Sequence, residues 1–120
     1  MEKEMEDIIV INGIEYVRKD LASELAGMPY CIVRTQSAGV FAGYIESRNG
    51  QEVVIRKARR LWYWEGAASL SQLAVDGISK PNNCKFPCEV DTIEVLQAIE
   101  IIKATARAKE SIAQVPVWTV

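Results

Sequence analysis

The chain has 120 residues, 49% of them apolar and 25% charged, with a formal net charge of −2 and no histidine. That is the make-up of one ordinary globular domain, with enough chain to bury its own core. It excludes a uniformly basic nucleic-acid binder, a membrane-crossing helix (no apolar run approaches about 18 residues) and any chemistry that relies on imidazole.

The acidic start, "MEKEMED", precedes an apolar run too short for a secretion signal, which points to the cytoplasm. "IIVINGIEYV" predicts a hairpin: residues 8–11 are β-branched, Asn12-Gly13 supplies the positive φ of a tight turn, and residues 14–17 return. "DLASELAG" predicts a short helix from Asp20 as N-cap to Gly27 as stop. Strands follow at "YCIVRT" and "VFAGYIES". Asn49-Gly50 then turns the chain into one long strand, "QEVVIRKARRLWYW", ending at Trp64.

After Gly66 an alanine- and leucine-rich stretch predicts a helix over residues 67–75, and the prolines of "ISKPNNCKFPC" predict a loop. "EVDTIEVLQAIEII" alternates again, as one or two strands interrupted near Gln97. Thr105 caps a last helix, "TARAKESIAQ", with Ala106, Ile112 and Ala113 toward the core, and "VPVWTV" is an extended tail. The expected fold is α+β. It is a single domain over residues 1–120, with an antiparallel sheet of five or more strands, an N-terminal hairpin, short helices packed on the sheet and a C-terminal helix. Residues 1–27 hold the hairpin and first helix, and residues 28–120 the core.

Charge concentrates in "RKARRLWYWEG", residues 56–66. Strict strand alternation places Val54, Arg56, Ala58, Arg60, Trp62 and Trp64 on one face, with Lys57, Arg59 and Tyr63 on the other. The first face lines up two guanidiniums, which grip phosphate oxygens, with two indoles, which stack on bases. Read as plain architecture, the same face is a set of arginine stems covering tryptophans in a core or an interface. Glu46, Glu52 and Glu65 flank the cations and oppose an extended polyphosphate, so neither DNA nor RNA is expected as a partner. A compact phosphate ligand fits better.

Signs of catalysis are weak. No glycine pattern cradles a phosphate, and Ser37, Ser69 and Ser71 lack a visible base. "QSAG", residues 36–39, suits either a tight turn or a backbone anion nest. Cys31, Cys84 and Cys88 read as plain thiols, since without histidine a zinc ion would need its fourth ligand from a carboxylate or a second chain. No metal and no cofactor is expected, and no enzyme activity.

Three stretches, "MPYCIVRTQSAGVFAGY", "ARRLWYWEGAASLSQLAVDG" and "CKFPCEVD", together resemble a family of small phage and prophage proteins, the type 1 Thoeris anti-defence proteins. The resemblance implies a non-catalytic sponge. Such a protein binds the cyclic ADP-ribose isomer made by bacterial TIR-domain enzymes in an infected or lysogenic host. It also implies a homo-oligomer, a dimer or a ring of dimers, and in some members cyclic oligonucleotides at a second site. Chemistry then selects the ligand contacts. Phe86 would stack on adenine or, equally, anchor its loop by dipping into the core. Arg34, beside Thr35 and Ser37 at a strand end, and Arg107, at the start of the last helix, would hold the phosphates. Arg56, Arg60, Trp62 and Trp64 would form a second site or a subunit interface. The rival readings are a protein-interaction module built on the aromatic strand, a hydrolase or lyase of such a nucleotide, and direct nucleic-acid binding.

Overall fold

The structure, a computed structural model, describes residues 24–25 and 27–119, so the predicted hairpin at residues 8–17 lies outside the described residues. The elements are β1 (Glu24–Leu25), β2 (Met28–Thr35), β3 (Val40–Asn49), β4 (Glu52–Arg60), α1 (Leu70–Asp76), a 3₁₀ turn (Pro81–Asn83), β5 (Val90–Val95), β6 (Ala98–Lys103) and α2 (Ala106–Ala113). The protein is α+β, an antiparallel sheet carrying short helices with one near the C-terminus. The predicted first helix is corrected where it can be seen. Glu24 and Leu25 are extended and pair with Pro29 and Met28, and Gly27, at φ 81°, makes the intervening turn rather than a helix stop.

Local chemistry accounts for the other ends. Gly50, at φ 63°, takes the first central position of the β3–β4 turn, which closes on the pair Asn49 and Glu52. Ser69 caps α1 by accepting from the Gln72 N–H, and the Gly77 N–H closes it on the Leu73 carbonyl at 2.9 Å. Thr105 accepts from the Ala108 N–H at 3.0 Å while its own hydroxyl donates to the Val75 carbonyl at 2.7 Å. One side chain therefore starts α2 and ties it to the end of α1. Ala108 and Ile112 face the core from α2, an i, i+4 stripe; Ala106 and Ala113, expected there, are exposed.

The sheet is rolled over on itself. Its strands pair in the order β1-β2-β3-β4-β5, and β6 returns to pair with β2. β5 and β6 run in the same direction and are separated only by Leu96 and Gln97. Val95 lies beside Val53, at the base of β4, and Ala98 beside Thr35, at the tip of β2. Three Cα steps span at most about 11 Å, so those two distant corners of the sheet must meet. They do: the Ala98 N–H donates to the carbonyl of Gln51, at the tip of the β3–β4 hairpin, at 2.9 Å.

Rolling makes two cores. The inner one holds Val33, Phe41, Val53, Ile55, Ala58, Val95 and Ala98, and neither α1 nor α2 contributes to it. The outer one sits between the sheet and the helices, and includes Tyr30, Ile32, Leu61, Leu73, Phe86, Ile112 and Val115. Each large aliphatic or aromatic residue fully buried in either contributes roughly 1.5–3 kcal/mol.

Candidate functional site

The bend that rolls the sheet also decides where the cations go. The β3–β4 ladder slips twice, once with Glu46 as the extra residue on β3 and once where Lys57 and Ala58 of β4 oppose Gly43 alone. At the second bulge Lys57 takes φ 52°. A Cβ on Gly43 would lie 2.5 Å from Ile55 Cγ2 and 2.9 Å from the Arg56 carbonyl oxygen, so only glycine fits beneath the bend.

A one-residue slip exchanges faces. Arg56 pairs with Tyr44 on the helix side, whereas Arg60 pairs with Phe41, an inner-core residue. The expectation that Arg56 and Arg60 share a face is therefore corrected. β4 also stops at Arg60, so Trp62 and Trp64 do not continue that face: Trp62 is 63% exposed, and Trp64 is half-buried against the outer core.

Each arginine then has a distinct setting. Arg56 is paired with Glu46 at 3.3 Å and Asp91 at 3.6 Å, and the Glu46 hydrogen bond pushes its pKa up further. Arg59, which alternation left unremarked, is buried. It donates to four carbonyls: Nε to Pro87 at 2.9 Å, Nη1 to Ile112 at 2.8 Å, and Nη2 to Phe86 at 3.2 Å and Val115 at 2.7 Å. Burial lowers its pKa, opposed by the nearby Tyr30 and Glu89, and the four carbonyls hold the cation in place. Arg60 lies 4.4 Å above the Phe41 ring and donates to the Ala38 carbonyl. Arg34 pairs with Glu100 at 2.9 Å across β2 and β6.

The remaining candidates also separate. Thr35 is buried, and its hydroxyl donates to the Gly39 carbonyl and accepts from the Ala38 N–H, so it shapes the "QSAG" turn. Ser37 is exposed in that turn. Phe86 is corrected outright: it is fully buried, with the Arg59 guanidinium 5.5 Å from its ring centroid, and cannot stack on a ligand. Arg107 is exposed on the first turn of α2. Among the described residues neither Arg60 nor Arg107 has an ion-pair partner, while Arg34 and Arg56 both do.

Those two arginines open onto different clefts. One, about 310 Å³, lies at the mouth of the inner core and is lined by Thr35, Ser37, Phe41, Arg60, Glu94 and Gln97 among others. The other, about 690 Å³, runs between α1 and α2, with Arg107, Gln72, Asp76, Ser79, Glu110 and Gln114 in its walls. A third, about 350 Å³, lies between Tyr30 and Tyr44 of the sheet and the C-terminal half of α2. The single ligand set expected around Arg34, Thr35, Ser37, Phe86 and Arg107 is thus divided among a surface ion pair, a turn, a core and a helical cleft.

Tyr63, Lys85, Val117 and Trp118 form a further surface. Extended segments bridge here (Tyr63 to Lys85, Phe86 to Val117), and the Lys85 ammonium sits 5.7 Å from the Tyr63 ring and 5.8 Å from the Trp118 ring. Cys31 and Cys84 are buried, Cys88 is exposed, and all three are free thiols. Among the described residues no cluster of acidic or thiol side chains has a metal-binding arrangement, and no helix is long and apolar enough to cross a membrane.

No curated protein and no solved structure matches the chain. A family model covers residues 28–112, from the first residue of β2 to the buried Ile112 of α2, which takes in strands β2 to β6 and most of the residues that line the three clefts. The chain belongs to the family described as Domain of unknown function (DUF6948).

Proposed function

We propose that the protein is a non-catalytic sponge that binds a cyclic ADP-ribose isomer made by bacterial TIR-domain enzymes and so blocks Thoeris immunity. The observation that carries the reading is the α1–α2 cleft. Its volume, about 690 Å³, falls well inside the range of small-molecule sites, roughly 300–1,000 Å³, whereas the other two clefts lie near the lower limit. Arg107 offers an uncommitted fork for a pyrophosphate. Gln72, Asp76, Glu110 and Gln114 offer acceptors for ribose hydroxyls. One cation among two carboxylates disfavours a polyphosphate but suits a ligand with one bounded phosphate pair and many hydroxyls.

Sequestration works by mass action, so slow release matters more than fast capture. The test is to incubate the protein with the products of an active TIR enzyme, wash, heat-denature and identify what is released by mass spectrometry. Intact cyclic ADP-ribose isomer at near one per subunit is expected, and Arg107→Ala should retain at most a tenth of it. An empty release, or a hydrolysed product, overturns the reading.

A second reading rests on the aromatic surface. Trp62, Tyr63, Val117 and Trp118 are all more than 40% exposed, which suits a protein interface, including one between copies in a homo-oligomer. Trp62→Ala should then change the assembly state seen by light scattering and leave ligand retention intact.

A further inference from the structure

The cleft between β2, β3 and α2 is built differently from the other two. Its polar groups are almost all donors. Tyr30 is only 9% exposed, and among the described residues its hydroxyl has no hydrogen-bond partner. A buried hydroxyl in that position is destabilising unless something accepts from it. The Tyr44 ring meets the Tyr30 ring edge-on at 5.1 Å, and the Tyr44 hydroxyl accepts from Lys109 Nζ at 3.1 Å, which leaves its own proton to donate. Lys109 Nζ also lies 5.4 Å from the Tyr44 ring and 6.0 Å from the Tyr30 ring. Arg59 lines the same cleft and has one Nη1 hydrogen left after its four carbonyls.

Two cations and two phenolic donors therefore face a space bounded by the apolar side chains of Ile112, Ala113, Val115 and Val117, with Glu89 as the one acidic group among the described residues of its lining. Burial holds the Tyr30 phenol protonated well beyond its ordinary range, with Tyr44 and Glu89 adding to the effect, so it stays a donor at neutral pH. We propose that this cleft binds a compact organic anion, with a carboxylate or phosphate head held by Tyr30, Tyr44, Arg59 and Lys109 and an apolar or aromatic body against Val115 and Val117. The volume, about 350 Å³, limits the occupant to something smaller than a dinucleotide. This site is separate from the α1–α2 cleft and does not depend on the sponge reading.

The experiment is calorimetric titration of the full chain with benzoate, phenyl phosphate and, as a neutral body of the same size, benzyl alcohol. At least one anion should bind tenfold or more tighter than the alcohol, and the preferred anion identifies the head group. Tyr30→Phe keeps the ring and its packing but removes the hydroxyl, and should weaken that anion at least fivefold without lowering the melting temperature of the free protein. Lys109→Met should weaken it further. Arg107→Ala, in the other cleft, should leave it unchanged. No binding of either anion at millimolar concentration, or equal binding to Tyr30→Phe, overturns the proposal. Loss of anion binding in Arg107→Ala also overturns it, because it moves the anion to the α1–α2 cleft. The retention experiment with TIR products reads that cleft independently.

Discussion

Arg59 and Arg60 are neighbours in sequence and identical in chemistry, yet they sit in opposite halves of the molecule. On the helix side, Arg59 draws together the carbonyls of Phe86, Pro87, Ile112 and Val115, holding the loop before β5, the end of α2 and the tail against β4. On the inner side, Arg60 lies over Phe41 at the open mouth of the rolled sheet with one bond to a turn. The first half is organised around a buried polar clamp; the second is held by aliphatic packing, with its arginine at the rim. Strand alternation sends the two to opposite faces, and the bulge just before them decides which one meets the helices.

Removing each arginine in turn should affect the two halves very differently. Arg59→Met leaves four carbonyls, three of them in buried bonds, without their donor and should cost on the order of 3–5 kcal/mol in urea denaturation. Arg60→Met loses a ring contact and one surface bond, and should cost less than about 1 kcal/mol. Similar losses for the two would show that the clamp is no more than another surface contact. Gly43→Ala tests the bend itself. Its Cβ meets Ile55 and the β4 backbone, so a loss of about 1–3 kcal/mol is expected in the same assay. Lys57→Gly should act in the opposite direction. It relieves a lysine held at φ 52° and should raise stability by about 0.5–1 kcal/mol. A destabilised Lys57→Gly would mean that the Lys57 side chain contributes more than the strain costs.

The smallest effect depends on pH. Burial raises the pKa of the Cys31 and Cys84 thiols above 9.0 and that of the Tyr30 phenol above 10.0. Below about pH 9 these groups are protonated in both folded and unfolded chains, and their contribution is fully present. As pH rises through the unfolded values, the unfolded chain releases protons that the folded one retains, and stability is lost. The melting temperature should therefore fall from about pH 9 upward, and less steeply in Tyr30→Phe. A flat profile to pH 10.5 would show that these groups are not held protonated by the fold.

Much of the architecture could be read from local rules. Ser69 was absent from those rules, but Gly77, Thr105 and the turn at Asn49-Gly50 sit where capping and turn chemistry put them, and the break in alternation near Gln97 marks the switch from β5 to β6. What escaped was tertiary. Nothing in "IRKAR" marks Lys57 as a positive-φ residue, since glycine or asparagine would be the usual signal, and without that slip every later residue of the run is assigned to the wrong face. Phe86 looked like a loop aromatic because its cover comes from Arg59, on a strand well before it in the chain. The signal for Arg59 itself was equally remote: a buried arginine is defined by carbonyls that no local pattern connects to it. Tyr30 and Tyr44 each read as ordinary strand residues, and only the β2–β3 register makes them neighbours.

The partner switch at Leu96 and Gln97 has a consequence for synthesis. β2 pairs on one side with β3, which follows at once, but its other edge waits for β6, and the Arg34–Glu100 contact across that edge spans 66 residues of sequence. At elongation rates of about 5–20 residues per second, that edge stays without its ladder for roughly 3–13 s after β2 is made. Contacts of such separation also slow folding, because loop closure precedes any gain from pairing. The nascent chain therefore carries an open strand edge, with Ile32 and Val33 in it, until β6 has emerged. Its yield in a cell should depend on how well that edge is shielded during those seconds.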